Sequence, residues 1–232
     1  MSLKYITFIL ISISLIACQN TDQETNDQKV KNQLPESKSV TKEQDIAIIP
    51  DTALVNLKAL SNDFVFDMKY ASEDNFLKET MYDCANCLLR FNVARALIIA
   101  NDKLRHQNLR IKLFDCFRPV SVQKKMWAIM PDSRYVADPN KNGSVHNRGA
   151  AVDLTIVDFS GNELDMGTGF DHFGEEAHYN YSNLKKEVIL NRKLLKTTME
   201  NAGFTGINTE WWHFQYGAKT DFPISTKALC EN

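Results

Sequence analysis

Two histidines of this chain stand beside groups that could share a metal ion or a proton. His146 lies in Gly143-Ser-Val-His-Asn-Arg-Gly-Ala-Ala-Val-Asp153, a polar loop that runs directly into an alternating segment. In Ala151-Val-Asp-Leu-Thr-Ile-Val157, Val152, Leu154 and Ile156 share one face of a strand and Ala151, Asp153 and Thr155 the other. A carboxylate set among apolar neighbours is costly unless it is paired or bound to a cation. His213 closes Glu210-Trp-Trp-His213. Strict alternation would place His213 with Trp211 and Gln215, and Trp212 with Phe214 on the opposite face. Glu210 is then also on the wrong side, and joins His213 only if the chain turns or bulges at Thr209–Glu210.

Two imidazoles and one carboxylate form a typical protein shell for a catalytic zinc ion, with a fourth position for water. The mixed nitrogen and oxygen set suits zinc better than magnesium or calcium. Zinc lowers the pKa of bound water to about 7, Glu210 is placed to take and return a proton, and a cation must face the developing oxyanion. Arg118, fixed by Pro119 in Asp115-Cys-Phe-Arg-Pro119, is the candidate cation. The plainer alternative is structural: lone histidines are commonly core or surface residues, and Asp153 could simply pair with Arg118. His106, His172 and His178 keep the structural reading.

The elements that would carry these residues are legible in outline. Asp63-Phe-Val-Phe-Asp-Met-Lys-Tyr70 is rich in strand formers. Val93, Leu97, Ala100 and Leu104 recur at helical spacing across residues 92–104. Arg110–Phe114 alternates as a strand that the proline at position 119 brings to an end. Residues 121–130 read as a short helix and 184–202 as the longest helix, closed by Gly203 as its C′ residue. Thr205–Thr209 supplies turn chemistry before a last strand, Trp211–Tyr216. Helices and strands do not alternate regularly, so the expected class is α+β with a mainly antiparallel sheet flanked by helices.

The chain has 232 residues, 44% of them hydrophobic and 24% charged, with a formal net charge of −2. That composition excludes wholesale disorder and lacks the basic excess of a nucleic-acid binder. The opening MSLKYITFILISISLIACQN has the form of an export signal, with an apolar run too short to span a bilayer comfortably. Residues 1–17 are therefore expected to be a leader, and Leu15-Ile-Ala-Cys18 resembles the bacterial lipobox, which implies lipidation of Cys18. Residues 18–45 form a polar tether and 46–232 one domain. The expected location is an exported lipoprotein, periplasmic or at the cell surface, touching the membrane through its lipid only. Cys84, Cys87, Cys116 and Cys230 remain, and outside the cytoplasm they are expected to form structural disulfides, whose pairing the sequence leaves open. Cys84-Ala-Asn-Cys87 could be a redox pair, but no βαβ pattern surrounds it. A four-thiolate zinc site is disfavoured by export.

Taken together, five segments resemble the D-alanyl-D-alanine dipeptidase family of zinc peptidases, which is related to D,D-carboxypeptidases. They are Asp67-Met-Lys-Tyr-Ala71 with Asp74-Asn-Phe76, Asp115-Cys-Phe-Arg-Pro119, Ser144-Val-His-Asn-Arg-Gly-Ala-Ala-Val-Asp-Leu-Thr155, Asp165-Met-Gly-Thr-Gly-Phe-Asp171 and Glu210-Trp-Trp-His213. The resemblance runs from about Phe64 to Phe222 and keeps the family's order. It implies one zinc ion held by His146, Asp153 and His213, with Glu210 as catalytic base and Arg118 as transition-state stabiliser. It further implies that Asp171 holds the free ammonium of a small dipeptide and that Ser144 contacts substrate. The implied fold is the small α+β fold shared with D,D-carboxypeptidases and hedgehog signalling domains. Cys116 departs from the glycine common in the family at that point, which suggests a disulfide there. The implied activity is hydrolysis of D-Ala-D-Ala to two D-alanines. A D,D-carboxypeptidase acting on peptidoglycan stems and an inactive lipoprotein binding cell-wall peptides are the alternatives.

Overall fold

The computed structural model describes residues 49–230. The expected leader, Cys18 and the tether lie outside the described residues. The elements run β1 (Leu54–Asn56), α1 (Leu57–Leu60), β2 (Val65–Phe66), β3 (Leu88–Arg90), α2 (Phe91–Arg105), β4 (Leu109–Asp115), α3 (Val120–Ile129), β5 (Ala151–Asp158), α4 (Lys186–Asn201), β6 (Phe204–Ile207) and β7 (Glu210–Tyr216). Five strands form one sheet in the order β2-β4-β5-β7-β6. β2 joins β4 in parallel, and every other pairing in the sheet is antiparallel. β1 and β3 make a separate antiparallel ribbon. The class is α+β, as expected.

Helical spacing in α2 has its anticipated consequence. Val93, Leu97, Ala100 and Leu104 are fully buried, and the helix packs on β4 and α4. α4 packs on β6 and β7 through Leu195 and Met199, then stops at Gly203, whose φ of +92° is a left-handed conformation that costs glycine nothing. These helical side chains meet Ile111 and Leu113 of β4, Val152, Leu154 and Ile156 of β5 and Phe214 of β7 in one core. Each such burial contributes about 1.5–3 kcal/mol. A second cluster, built from Tyr70, Tyr82, Leu88, Phe117 and Met126, lies around α3 and its loops. β5 is therefore covered on both faces, with Ala151–Val157 buried without interruption.

Two local readings need correction, and one left open is settled. The strand expected over 63–70 is reduced to Val65–Phe66 plus one further ladder bond from the Asp67 N–H to the Leu113 carbonyl. Beyond it the chain turns into a 3-10 helix at Lys69–Ala71, with Asp67 drawn into ion pairs with Lys69 and Lys112. Thr205–Thr209 is mostly strand: β6 extends to Ile207 and leaves Asn208 and Thr209 as the turn. The expected structural disulfides are present as Cys84–Cys230 and Cys87–Cys116, which leaves no Cys84–Cys87 redox pair.

Two register shifts set the site end of the sheet. Leu113 pairs with Leu154 but Asp115 pairs with Asp153, so Phe114 is one extra residue on β4. Gly206 pairs with Phe214 while Ile207 pairs with Glu210, so β7 bulges over residues 211–213. Bulges of this kind re-aim side chains at a strand end.

Candidate metal centre and active site

β5 and β7 bring the first ligands together by direct pairing, Asp153 opposite His213. His146 arrives from the loop before β5, on a 3-10 turn at His146–Arg148. That turn ends at Gly149, with φ +70° and Leu54 packed where a side chain would stand, so the position admits only glycine. His213 Nδ1 lies 3.0 Å from Asp153 Oδ1. His146 Nε2 lies 3.2 Å from His213 Nδ1 and 3.4 Å from Asp153 Oδ2. Among the described residues these three form the one group of at least three His, Cys, Asp or Glu able to hold a metal ion, with ligand atoms within 4.8 Å of one another.

The donor chemistry fits a metal of the zinc type. The Nδ1–H of His146 donates to the Cys116 carbonyl at 2.7 Å, which fixes the tautomer and leaves Nε2 as a bare ligand atom. All three side chains are buried. Burial alone would raise the Asp153 carboxyl, but His146 and His213 beside it hold it well below the usual carboxylate range. Burial would lower the His146 imidazole, and Asp153 and Asp115 outweigh it and raise it. Each group is held by the charge of its neighbours, an arrangement that a divalent cation can take over.

The other residues singled out in sequence converge on the same cavity, of about 190 Å³. Its walls include Arg118, Ser144, Asp171 and Glu210 together with the three ligands. The β7 bulge satisfies the condition under which Glu210 can join His213. It also overturns the face assignment of Trp212, which lines the cavity beside His213 instead of standing opposite. Burial pushes the Glu210 carboxyl up, toward the range useful in a base. Burial and the nearby Asp153 charge push Asp171 up strongly. Asp171 sits in a left-handed conformation, φ +58°, and its Oδ2 accepts a hydrogen bond from the Tyr70 hydroxyl at 3.0 Å. Ser144 is positioned by the loop itself: its N–H donates to Asn147 Oδ1 and its Oγ accepts from the His146 N–H.

Arg118 does not pair with Asp153. Its Nε and Nη2 donate to Asp115 Oδ2 at 3.1 and 2.6 Å, and its Nη1 donates to Gln123 Oε1. The guanidinium lies 5.1 Å from the Tyr70 ring centroid. Sequence reasoning passed over Asp115 and Tyr70. Asp115 stands three residues before Arg118 at the end of a strand, a spacing that could have marked it as the arginine's holder. Tyr70 gave no signal beyond its place in a quoted segment, because its role comes from residues far away in the chain.

A family model described as D-ala-D-ala dipeptidase matches residues 50–229. The D-alanyl-D-alanine dipeptidase of Escherichia coli (strain K12) is 37% identical over 173 residues, covering 75% of this chain and 89% of that protein. The D-alanyl-D-alanine dipeptidase of Enterococcus faecium is 29% identical over 169 residues, covering 64% of this chain and 84% of that protein. Among solved structures, VanYB in complex with D-alanine-D-alanine aligns with a TM-score of 0.37 at 14% identity, over 62% of this chain and 76% of that chain. The match of the family model over residues 50–229, nearly all of the described chain, places the chain in the D-ala-D-ala dipeptidase family of peptidases.

Proposed function

We propose that the protein is a zinc-dependent dipeptidase that hydrolyses D-Ala-D-Ala to two D-alanines. The observation that carries this reading is Asp171 in the same small cavity as His146, Asp153, His213 and Glu210. An acid there gains a charge-assisted contact from a free ammonium and nothing comparable from a neutral amide. The cavity is smaller than the roughly 300–1,000 Å³ of pockets for larger ligands, which suits a dipeptide better than a longer stem peptide. The curated relatives bear the name of this activity.

His146 through Nε2, Asp153 and His213 through Nδ1 would hold one zinc ion per chain. When bound, zinc polarises the scissile carbonyl and lowers the pKa of water so that a nucleophile exists near neutral pH. Glu210, raised toward neutrality by burial, takes the proton of the attacking water and returns it to the leaving amine. Arg118 stays cationic because Asp115 outweighs its burial, and its fixed guanidinium faces the developing oxyanion. Asp171 and Ser144 orient the substrate, and Trp212 lines the same cavity.

The leader, the lipid on Cys18 and a periplasmic or cell-surface location belong to the same proposal. An enzyme so placed acts on dipeptides outside the cytoplasm, in cell-wall peptide turnover. The test is a substrate panel with the zinc-loaded protein: the free dipeptide, its N-acetylated form and longer muropeptides. Release of D-alanine from the free dipeptide alone is expected. Activity confined to the longer peptides would establish the carboxypeptidase reading, and no hydrolysis despite bound zinc would establish a binding protein. Glu210→Ala in the same panel keeps zinc and lowers turnover by about 10²–10⁴.

A further inference from the structure

The two disulfides occupy very different places relative to the metal centre. Cys84–Cys230 spans 146 residues and ties the end of the described chain to the segment before β3. Cys87–Cys116 spans 29 residues and joins the residue before β3 to the residue after β4. Both members of this second bridge are buried. The carbonyl of Cys116 is the acceptor that holds His146 Nδ1–H at 2.7 Å, and the Cys116 N–H donates to Asp115 Oδ1 at 2.9 Å. Among the described residues, Cys116 is thus the one in backbone contact with both the His146 ring and the carboxylate that holds Arg118.

The partner half of the bridge is anchored as well. The Cys87 carbonyl accepts from the Leu57 N–H, and the next residue, Leu88, accepts from Phe117 N–H at 3.0 Å. Arg90, at the other end of β3, donates its N–H to the Gly149 carbonyl, beside the turn that carries His146. The Arg118 N–H in turn donates to the His146 carbonyl at 3.1 Å. β3 therefore suspends the loop after β4 and the His146 turn from one rigid strand, and the disulfide fixes the first of these covalently. We infer that Cys87 and Cys116 are positioning residues for the metal centre: their disulfide sets the carbonyl that orients His146, and so raises metal affinity. Cys84–Cys230 reaches the His146 turn indirectly, through a tail whose Ser225 N–H donates to the Asn147 carbonyl and whose Phe222 carbonyl accepts from Arg148, so its expected effect is mainly on stability.

The inference rests on His146 being a metal ligand, and the experiment separates the two. Zinc affinity is measured by competition with a chromophoric chelator for the wild type, Cys87→Ala/Cys116→Ala and Cys84→Ala/Cys230→Ala. Thermal melts of the zinc-free forms run alongside. Loss of an outer partner to a ligating histidine weakens metal binding by about 10–100-fold. Cys116→Ala keeps the carbonyl and removes only the covalent constraint on its position, so a fall toward the lower end of that range, about tenfold, is expected for the Cys87/Cys116 pair, with less than about a twofold change for the Cys84/Cys230 pair. Equal affinity in both variants, or loss in both in proportion to lowered melting temperature, overturns the positioning role. Absence of zinc binding in the wild type overturns the metal reading along with it. Should the Cys87/Cys116 variant fail to fold, NMR of the zinc-loaded wild type decides. A His146 Nδ1–H proton shifted downfield and slow to exchange is expected, and a freely exchanging one overturns the inference.

Discussion

Asp115 and Asp153 are cross-strand partners on β4 and β5, both buried, yet they are satisfied in opposite ways. Asp115 is complete within the protein: the Tyr82 hydroxyl and the Cys116 N–H donate to Oδ1, and Arg118 donates twice to Oδ2. Asp153 has two imidazoles and no permanent cation. Side by side, two buried carboxylates would repel. Here one is neutralised by a residue of the chain, and the other would be neutralised by the zinc ion proposed above. The pair shows how a fold divides one strand end between structure and chemistry.

Three substitutions would break or sharpen that contrast, in falling order of effect. Asp153→Asn removes the charged ligand. Turnover should drop to background and the zinc-dependent rise in melting temperature should vanish, while the zinc-free protein still folds. Melts with and without zinc, beside an assay of D-alanine release, check this. Asp115→Asn instead strands Arg118 without its counter-charge. Breaking a buried pair costs about 3–5 kcal/mol, so the zinc-free protein should melt on the order of 10 °C lower. A stability loss for Asp153→Asn as large as for Asp115→Asn would erase the distinction.

The smallest effect belongs to a third aspartate, Asp67, paired with Lys69 and Lys112 at the exposed edge of the same sheet. Partial burial works to raise its carboxyl, but the hydrogen bonds from Lys112 and Lys69 outweigh this and lower it. A depressed folded pKa means that the stabilisation is present above the ordinary value of 3.8 and is lost as pH falls through the lower folded value. Asp67 is part-exposed, so solvent screens the pair and Asp67→Asn should cost under about 1 kcal/mol. Denaturant melts should show that difference shrinking at acid pH and in about 1 M salt.

The sequence was most informative where periodicity and chemistry coincide. The burial pattern of α2, the strand 151–157 and the grouping of His146 with Asp153 follow from spacing that one element enforces. Glu210 was legible as a conditional: the right residue, usable only through a bulge. The bulge itself depends on how β6 meets β7, and alternation along β7 alone put Trp212 on the wrong face. The strand after residue 63 is short, and where it ends Asp67 pairs with Lys112 of β4, a residue that local pattern cannot bring near. Disulfide pairing was open for the same reason, since partners 29 and 146 residues apart are chosen by the finished fold.

The Asp153–His213 pairing, across 60 residues of chain, carries a consequence for how the protein matures. Closing so long a loop is opposed by chain entropy until the middle of the sheet has formed. No fragment that falls short of the span from His146 to His213 can assemble the proposed ligand set, so a nascent or unfolded chain would offer a metal only scattered, weak donors. Tight metal capture is thereby a late event in refolding. The moment of capture reads out when the two central strands meet.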